Sequence, residues 1–172
     1  LISPAAIFER SASFLTSDAT TATRLLTQEV IDEAKKCQGV GNYPFRKGSD
    51  GYHHIDEDIA LLKELGIDIY RFSISWARLY PQGDELEPNK EGIAFYDHIF
   101  KEVHKAGMKI FLTMNHYAVP LYLVENYGGW TNRKLVTFYE RFAKTVFEHW
   151  GQYIDYFLPF NEINAGYFSP YN

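Results

Sequence analysis

Three short runs rich in β-branched and aromatic residues recur along the chain, each ending on polar side chains: "IDIYRFSIS", "MKIFLTMNH" and "YIDYFLPFNE". They end near Arg71, His116 and Glu162, 45 and 46 residues apart. Such runs read as strands. Helical periodicity fills the spaces around them. "YHHIDEDIALLKELG" carries Ile55, Ile59, Leu62 and Leu65 on one stripe, with Gly66 as a C-cap. "EGIAFYDHIFKEVHKAG" places Ile93, Tyr96, Ile99, Phe100 and Val103 on one face and closes at Gly107. "TNRKLVTFYERFAKTVFEHWG" starts at a Thr131 or Asn132 cap and lines up Leu135, Tyr139, Phe142, Val146 and Trp150. "LYPQGDELEPNK" reads as a loop, and "YAVPLYLVENYGGW" as a longer loop with a short helical piece. Helices alternating with short buried strands predict parallel strands joined by right-handed crossovers. A helical solenoid has a similar period but does not supply three β-rich runs. A doubly wound sheet and a (β/α)₈ barrel both fit the order. No Gly-rich phosphate loop follows a strand, which disfavours a nucleotide-binding sheet.

The first 50 residues lack this regularity. One helix is predicted from Thr20 to Lys36, and Gly39, Gly41, Pro44, Gly48 and Gly51 then mark a loop. The chain divides into an irregular N-terminal region, 1–50, and a regular α/β region, 51–172.

Bulk properties exclude several classes of function. With 172 residues, the chain is long enough for one domain with a core. Its net charge of −5 comes without a basic helix face, which argues against a nucleic-acid partner. No apolar run approaches the length of a membrane span. The opening "LISPAAIFERSASF" lacks the pattern of a secretory signal and an initiating Met, so the mature start is expected to be processed or missing. The single cysteine, Cys37, precludes an intramolecular disulfide and fits a reducing compartment. Nothing near it in sequence would activate the thiol, so it reads as incidental. His53, His54 and Glu57 are metal-ligand types, but adjacent helical histidines diverge, and a first-turn cap is the simpler reading. Aromatic residues make up 17% of the chain, enough for a packed core and also for a site that stacks on flat ligands.

Ligands of α/β folds bind at the carboxyl ends of the strands. Here those positions hold Arg71 (with Ser73 and Ser75 beyond it), Asn115-His116 and Asn161-Glu162. Each has a structural alternative: an ion pair for Glu162, a hydrogen-bonded packing role for His116, a strand tie for Arg71. Three polar strand ends in register favour a shared site. A carboxylate at such a mouth can have its pKa raised by burial until it donates a proton near neutrality.

"GIDIYRFSISWARLYPQG", "DELEPNKEGIAFYDHIF", "HYAVPLYLVENYGGWTNRKLVTFYERFAKTVFEHW" and "FNEIN" together resemble glycoside hydrolase family 1, the retaining β-glycosidases built on a (β/α)₈ barrel. The likeness runs from about Asn42 to Asn172. "GDELEPN", "HYAVPLYLVENYGGW" and "NEIN" resemble the 6-phospho-β-glucosidase branch. The resemblance implies a TIM-barrel portion comprising about strands two to four, and roles for matching residues. Glu162 is the implied general acid/base and Asn161 the ligand of the sugar 2-hydroxyl. His116 binds a hydroxyl of the sugar undergoing cleavage. Arg71 sits beside the nucleophilic carboxylate and keeps it ionised. Tyr117 and Trp130 shape the sugar pocket, and Asn164 faces the aglycone. No metal or organic cofactor is implied. The implied partner is a small phosphorylated β-glucoside, the implied location the cytoplasm, and homo-oligomerisation is left open.

The departures are specific. "IFERSASFLTSDATTATRLL" does not reproduce the family's first-strand stretch. The family's nucleophile, a Glu on the seventh strand, and its phosphate-binding residues lie beyond this sequence. Pro159 stands where Thr is usual, and is expected to disturb local pairing. A full barrel takes roughly 250 residues or more, so the chain reads as the N-terminal portion of a longer enzyme, inactive alone. The rival activities are 6-phospho-β-galactosidase and β-glucosidase without phosphate selectivity. Two non-enzymatic rivals are a sugar-binding barrel fragment and a structural half-barrel that pairs with another fragment.

Overall fold

A computed structural model describes residues 28–36 and 48–164. Cys37, the glycine-rich stretch up to Pro44, and the first part of the helix predicted from Thr20 lie outside the described residues. The elements run α1 (Gln28–Lys36), α2 (Gly51–Glu64), β1 (Ile69–Ser73), α3 (Trp76–Leu79), α4 (Lys90–Lys105), β2 (Lys109–Asn115), α5 (Leu121–Tyr127), α6 (Lys134–Trp150) and β3 (Ile154–Phe160). Short 3₁₀ turns, Gly129–Thr131 and Gly151–Tyr153, flank α6.

The three strands form one parallel sheet in the order β1-β2-β3. Alternation along each strand sorts its side chains between two faces. On one face Ile110, Leu112 and Met114 are fully buried beneath the helices. Phe72 meets Phe100 of α4 there, and Phe157 meets Phe147 of α6, with ring centroids 5.2 Å apart in both pairs. The other face carries Ile69, Arg71, Phe111 and Tyr156. No described helix covers it, and Ile69 and Tyr156 remain about half exposed, at 46% and 49%.

The helices form because their apolar stripes match this sheet. Tyr96, Ile99, Phe100 and Val103 of α4 are buried, as are Leu135, Phe142, Val146 and Trp150 of α6. Asn89 caps α4 by accepting from the Gly92 amide at 2.8 Å. Asn132 accepts from the Lys134 amide at the start of α6, at 3.0 Å. Gly92 lets α4 approach α3 closely: a Cβ there would stand 2.3 Å from the Arg78 carbonyl oxygen.

One local expectation needs correction. Leu65 does not join the packed stripe of α2. The helix ends at Glu64, Gly66 turns the chain at φ 72°, and Leu65 is left 75% exposed. Residues 76–79 form one buried helical turn within the stretch between β1 and the loop that follows. Pro159 interrupts pairing only at its own position: it has no ladder partner, while Leu158 and Phe160 on either side keep register with Thr113 and Asn115. The register itself shifts at Asp155, where the side-chain carboxylate accepts from the Ile110 amide at 2.9 Å.

The "GDELEP" loop is tied to its neighbours by its own acidic residues. The Glu85 carboxylate accepts from the amides of Gln82 and Gly83, both at 2.8 Å. Asp84 accepts from the Tyr127 hydroxyl at 2.8 Å, and Arg141 donates to the carbonyls of Asp84 and Glu85. His53 closes the first turn of α2: its ring nitrogen Nδ1 lies 2.6 Å from Asp50 Oδ1, and its amide donates to the Asp50 carbonyl.

Candidate active site

Arg71 lies on the uncovered face and spans all three strands. Its Nε donates to Thr113 Oγ1 on β2 at 3.0 Å, and its Nη2 donates to Asn161 Oδ1 beyond β3 at 2.9 Å. The guanidinium carbon sits 5.7 Å from the Phe111 ring centroid, within cation–π range. These bonds orient the Asn161 amide at the strand ends.

Asn115 joins the two turns that carry the remaining polar residues. It is 3% exposed. Its carbonyl accepts from the Asn161 amide at 2.9 Å, and its side-chain oxygen accepts from the Ala118 amide at 3.2 Å. The turn after β2 therefore faces the turn after β3. Across this junction the Tyr117 hydroxyl donates to Glu162 Oε2. Both residues have left-handed backbone, φ 60° at Tyr117 and φ 43° at Glu162. Side chains with a Cβ adopt that region rarely, and such strain concentrates at functional sites.

Asn115, Tyr117, Trp130, Phe160, Asn161, Glu162 and Ile163 line a cavity of about 260 Å³. One wall is aromatic. Tyr139 stacks on Phe160 (centroids 4.8 Å, planes 20° apart) and donates to the Pro159 carbonyl at 2.5 Å. Trp130 meets Phe160 edge-on at 5.4 Å. Burial raises the pKa of the Tyr139 phenol well above its usual range. The Tyr117 phenol is also raised, by burial and then by its bond to Glu162, while Asn161 pulls it down. His116 follows β2 with its ring edge-on to Tyr117. Partial withdrawal from water, and then the Arg71 guanidinium, lower its imidazole below the ordinary value; Glu162 opposes them.

Of the sequence-derived candidates, Arg71 is not at a strand end as expected: it is the middle residue of β1, in register with Phe111, and only its side chain reaches the strand ends. Asn161, Glu162, Tyr117 and Trp130 face the cavity, whereas His116 and Arg71 stand beside it. Asn164 is exposed and does not line it. The burial expected of Glu162 is not supplied by these residues, because its side chain is exposed. Phe160 and Ile163 were not singled out as lining residues. Asn115 is legible in sequence only as a polar strand end; its double attachment depends on pairing between residues 46 apart.

A carboxylate, an oriented amide and a ring-lined wall suit a ligand with both hydroxyls and an apolar face. Residues 35–172 match the model of glycosyl hydrolase family 1. The chain belongs to that family. It is similar to 6-phospho-beta-glucosidase AscB of Escherichia coli (strain K12), with 48% identity over 130 residues, covering 76% of this chain and 27% of AscB. It is similar also to aryl-phospho-beta-D-glucosidase BglH of Bacillus subtilis (strain 168), with 49% identity over 127 residues, covering 74% and 27%. Among solved structures, the rice Os3BGlu6 beta-glucosidase matches with a TM-score of 0.65 and 33% identity, covering 68% of this chain and 24% of the rice chain. The chain therefore spans about a quarter of the length of these relatives. Its parallel sheet and one-sided helices are part of a (β/α) barrel, which decides between the two architectures left open by the sequence. No described helix is long and apolar enough to cross a membrane.

Proposed function

We propose that the protein containing this chain is a retaining glycosidase that hydrolyses 6-phospho-β-glucosides, with Glu162 as general acid/base. The observation that carries this reading is the position of Glu162: it follows the third parallel strand, lines a cavity, and adjoins an Asn161 amide held by Arg71. Glu162 protonates the departing glycosidic oxygen, then takes a proton from the water that releases the sugar. Asn161 holds the 2-hydroxyl, His116 a further hydroxyl of the same sugar, and Trp130 a face of the pocket. Asn164 is assigned to the aglycone side. The nucleophilic carboxylate comes from another part of the protein, about 5–5.5 Å from Glu162, and Arg71 favours its ionised state. Residues 51–164 are barrel units of one catalytic domain. Phosphorylated sugars point to a cytoplasmic enzyme.

The phosphate preference rests on the 48% and 49% identity to AscB and BglH. Likeness to the rice beta-glucosidase supports a second reading, hydrolysis without a phosphate requirement. Paired nitrophenyl β-glucosides, with and without a 6-phosphate, separate the two in the full-length protein. The expected result is turnover of the phosphorylated substrate alone, reduced by at least 10²-fold in Glu162→Gln. Equal turnover of both substrates would favour the second reading. Undiminished turnover by Glu162→Gln would remove Glu162 from the reaction.

A further inference from the structure

We infer that Tyr117 is a positioning residue for Glu162: its hydroxyl donates to the carboxylate and fixes its rotamer. The inference rests on the proposed role of Glu162 and adds to it a partner supplied by a different strand's turn. Three features carry it. The hydroxyl meets Glu162 Oε2 directly. Asn115 fastens both turns, through its carbonyl to Asn161 and through its side chain to Ala118, so the two side chains are brought together by the buried end of β2. Both residues hold left-handed backbone, a strain that an accidental surface contact does not require.

The phenol serves here as a donor only. It is kept neutral by its surroundings and by the carboxylate itself. Among the described residues, His116, from the turn of Tyr117, senses both the Glu162 carboxylate and the Arg71 guanidinium of β1. Arg71 is committed to Thr113 and Asn161. Tyr117 is thus the side chain that meets the carboxylate of Glu162 head-on.

The test compares the kinetics of the full-length protein and its variants. An alkyl 6-phospho-β-glucoside is used, because its leaving group needs the proton. Tyr117→Phe keeps the ring in the cavity wall and deletes the donor. It should lower kcat about tenfold and leave KM nearly unchanged. In the Glu162→Gln background, assayed on a nitrophenyl substrate that departs unaided, Tyr117→Phe should add no further loss. An undiminished kcat overturns the inference. So does an equal loss from Tyr117→Phe with and without Glu162, which would make Tyr117 a packing or sugar-binding residue. Turnover of the alkyl substrate that survives Glu162→Gln is a different result, and would sink the reading of Glu162 itself.

Discussion

On the helix-covered face, Phe100 lies flat on Trp150, with centroids 5.2 Å and planes 2° apart, and Trp76 stacks on Phe142 at 5.4 Å. Trp150 Nε1 donates to Asp97 at 2.7 Å, and the Tyr80 and Thr145 hydroxyls share a bond of the same length, whereas Trp76 Nε1 is buried without a hydrogen-bond partner among the described residues. At the carboxyl ends of the strands, rings also abound, yet there a Tyr hydroxyl meets a carboxylate, the backbone is left-handed at two places, and a cavity stays open. Rings on the first side remove area from water; on the second they form walls and donors around space. The difference teaches that this segment of barrel keeps its packed rings beneath the helices and its cavity at the carboxyl ends of the strands.

The separation is broken hardest from the core side. Trp150→Ala deletes a fully buried ring, its stack with Phe100 and its bond to Asp97. Truncations of this kind cost about 3–5 kcal/mol. A fall of that size in the denaturant midpoint of the intact protein is expected, with kcat per folded molecule changed little. A variant as stable as the parent but catalytically impaired would reverse the division.

Arg71→Met tests the other side with a smaller effect. It removes the donors to Thr113, itself 1% exposed, and to Asn161. Hydrogen bonds of this sort contribute about 0.5–1.5 kcal/mol each in net stability, and more when a buried partner is left unsatisfied. The stability loss should stay near 1–2 kcal/mol, read from the same denaturant midpoint. The loss in kcat/KM should exceed it, because Asn161 loses the bond that orients it. A stability loss as large as that of Trp150→Ala would show Arg71 to be chiefly a strand tie.

The core side was largely legible before any coordinates. Tyr96, Ile99, Phe100 and Val103 repeat at helical spacing, as do Leu135, Phe142, Val146 and Trp150, and all are buried. Periodicity reports one element's inner face, and that is all a packed stripe requires. The mouth was legible only as three polar strand ends. That Arg71 reaches Asn161, and that Tyr117 meets Glu162, depends on contacts 90 and 45 residues apart in sequence. No local pattern encodes such pairs. The failures have the same origin. Leu65 matched the helical period, but Gly66 ended the helix first. Pro159 loses only its own pairing, and the register continues through Leu158 and Phe160. Asp155, unremarkable in sequence, is where the register slips.

The smallest effect gives the sharpest reading of the mouth. His116 is lowered by partial loss of solvent and by Arg71, and raised by Glu162. Below the ordinary imidazole pKa of about 6.5, the unfolded chain binds a proton that the folded protein accepts only at lower pH. The stability tied to this difference is therefore complete above that value and is lost as pH falls from it through the folded-state pKa. A titration of the His116 ring by NMR should place its midpoint below the ordinary value. Arg71→Met removes a lowering influence and should move the midpoint up. Glu162→Gln removes a raising influence and should move it down. Shifts of opposite sign require that one imidazole senses both charges, which ties β1 and the end of β3 into one electrostatic unit at the mouth. If both variants moved it the same way, or neither did, His116 would answer to solvent alone, and the polar strand ends would be neighbours in space without acting on one another.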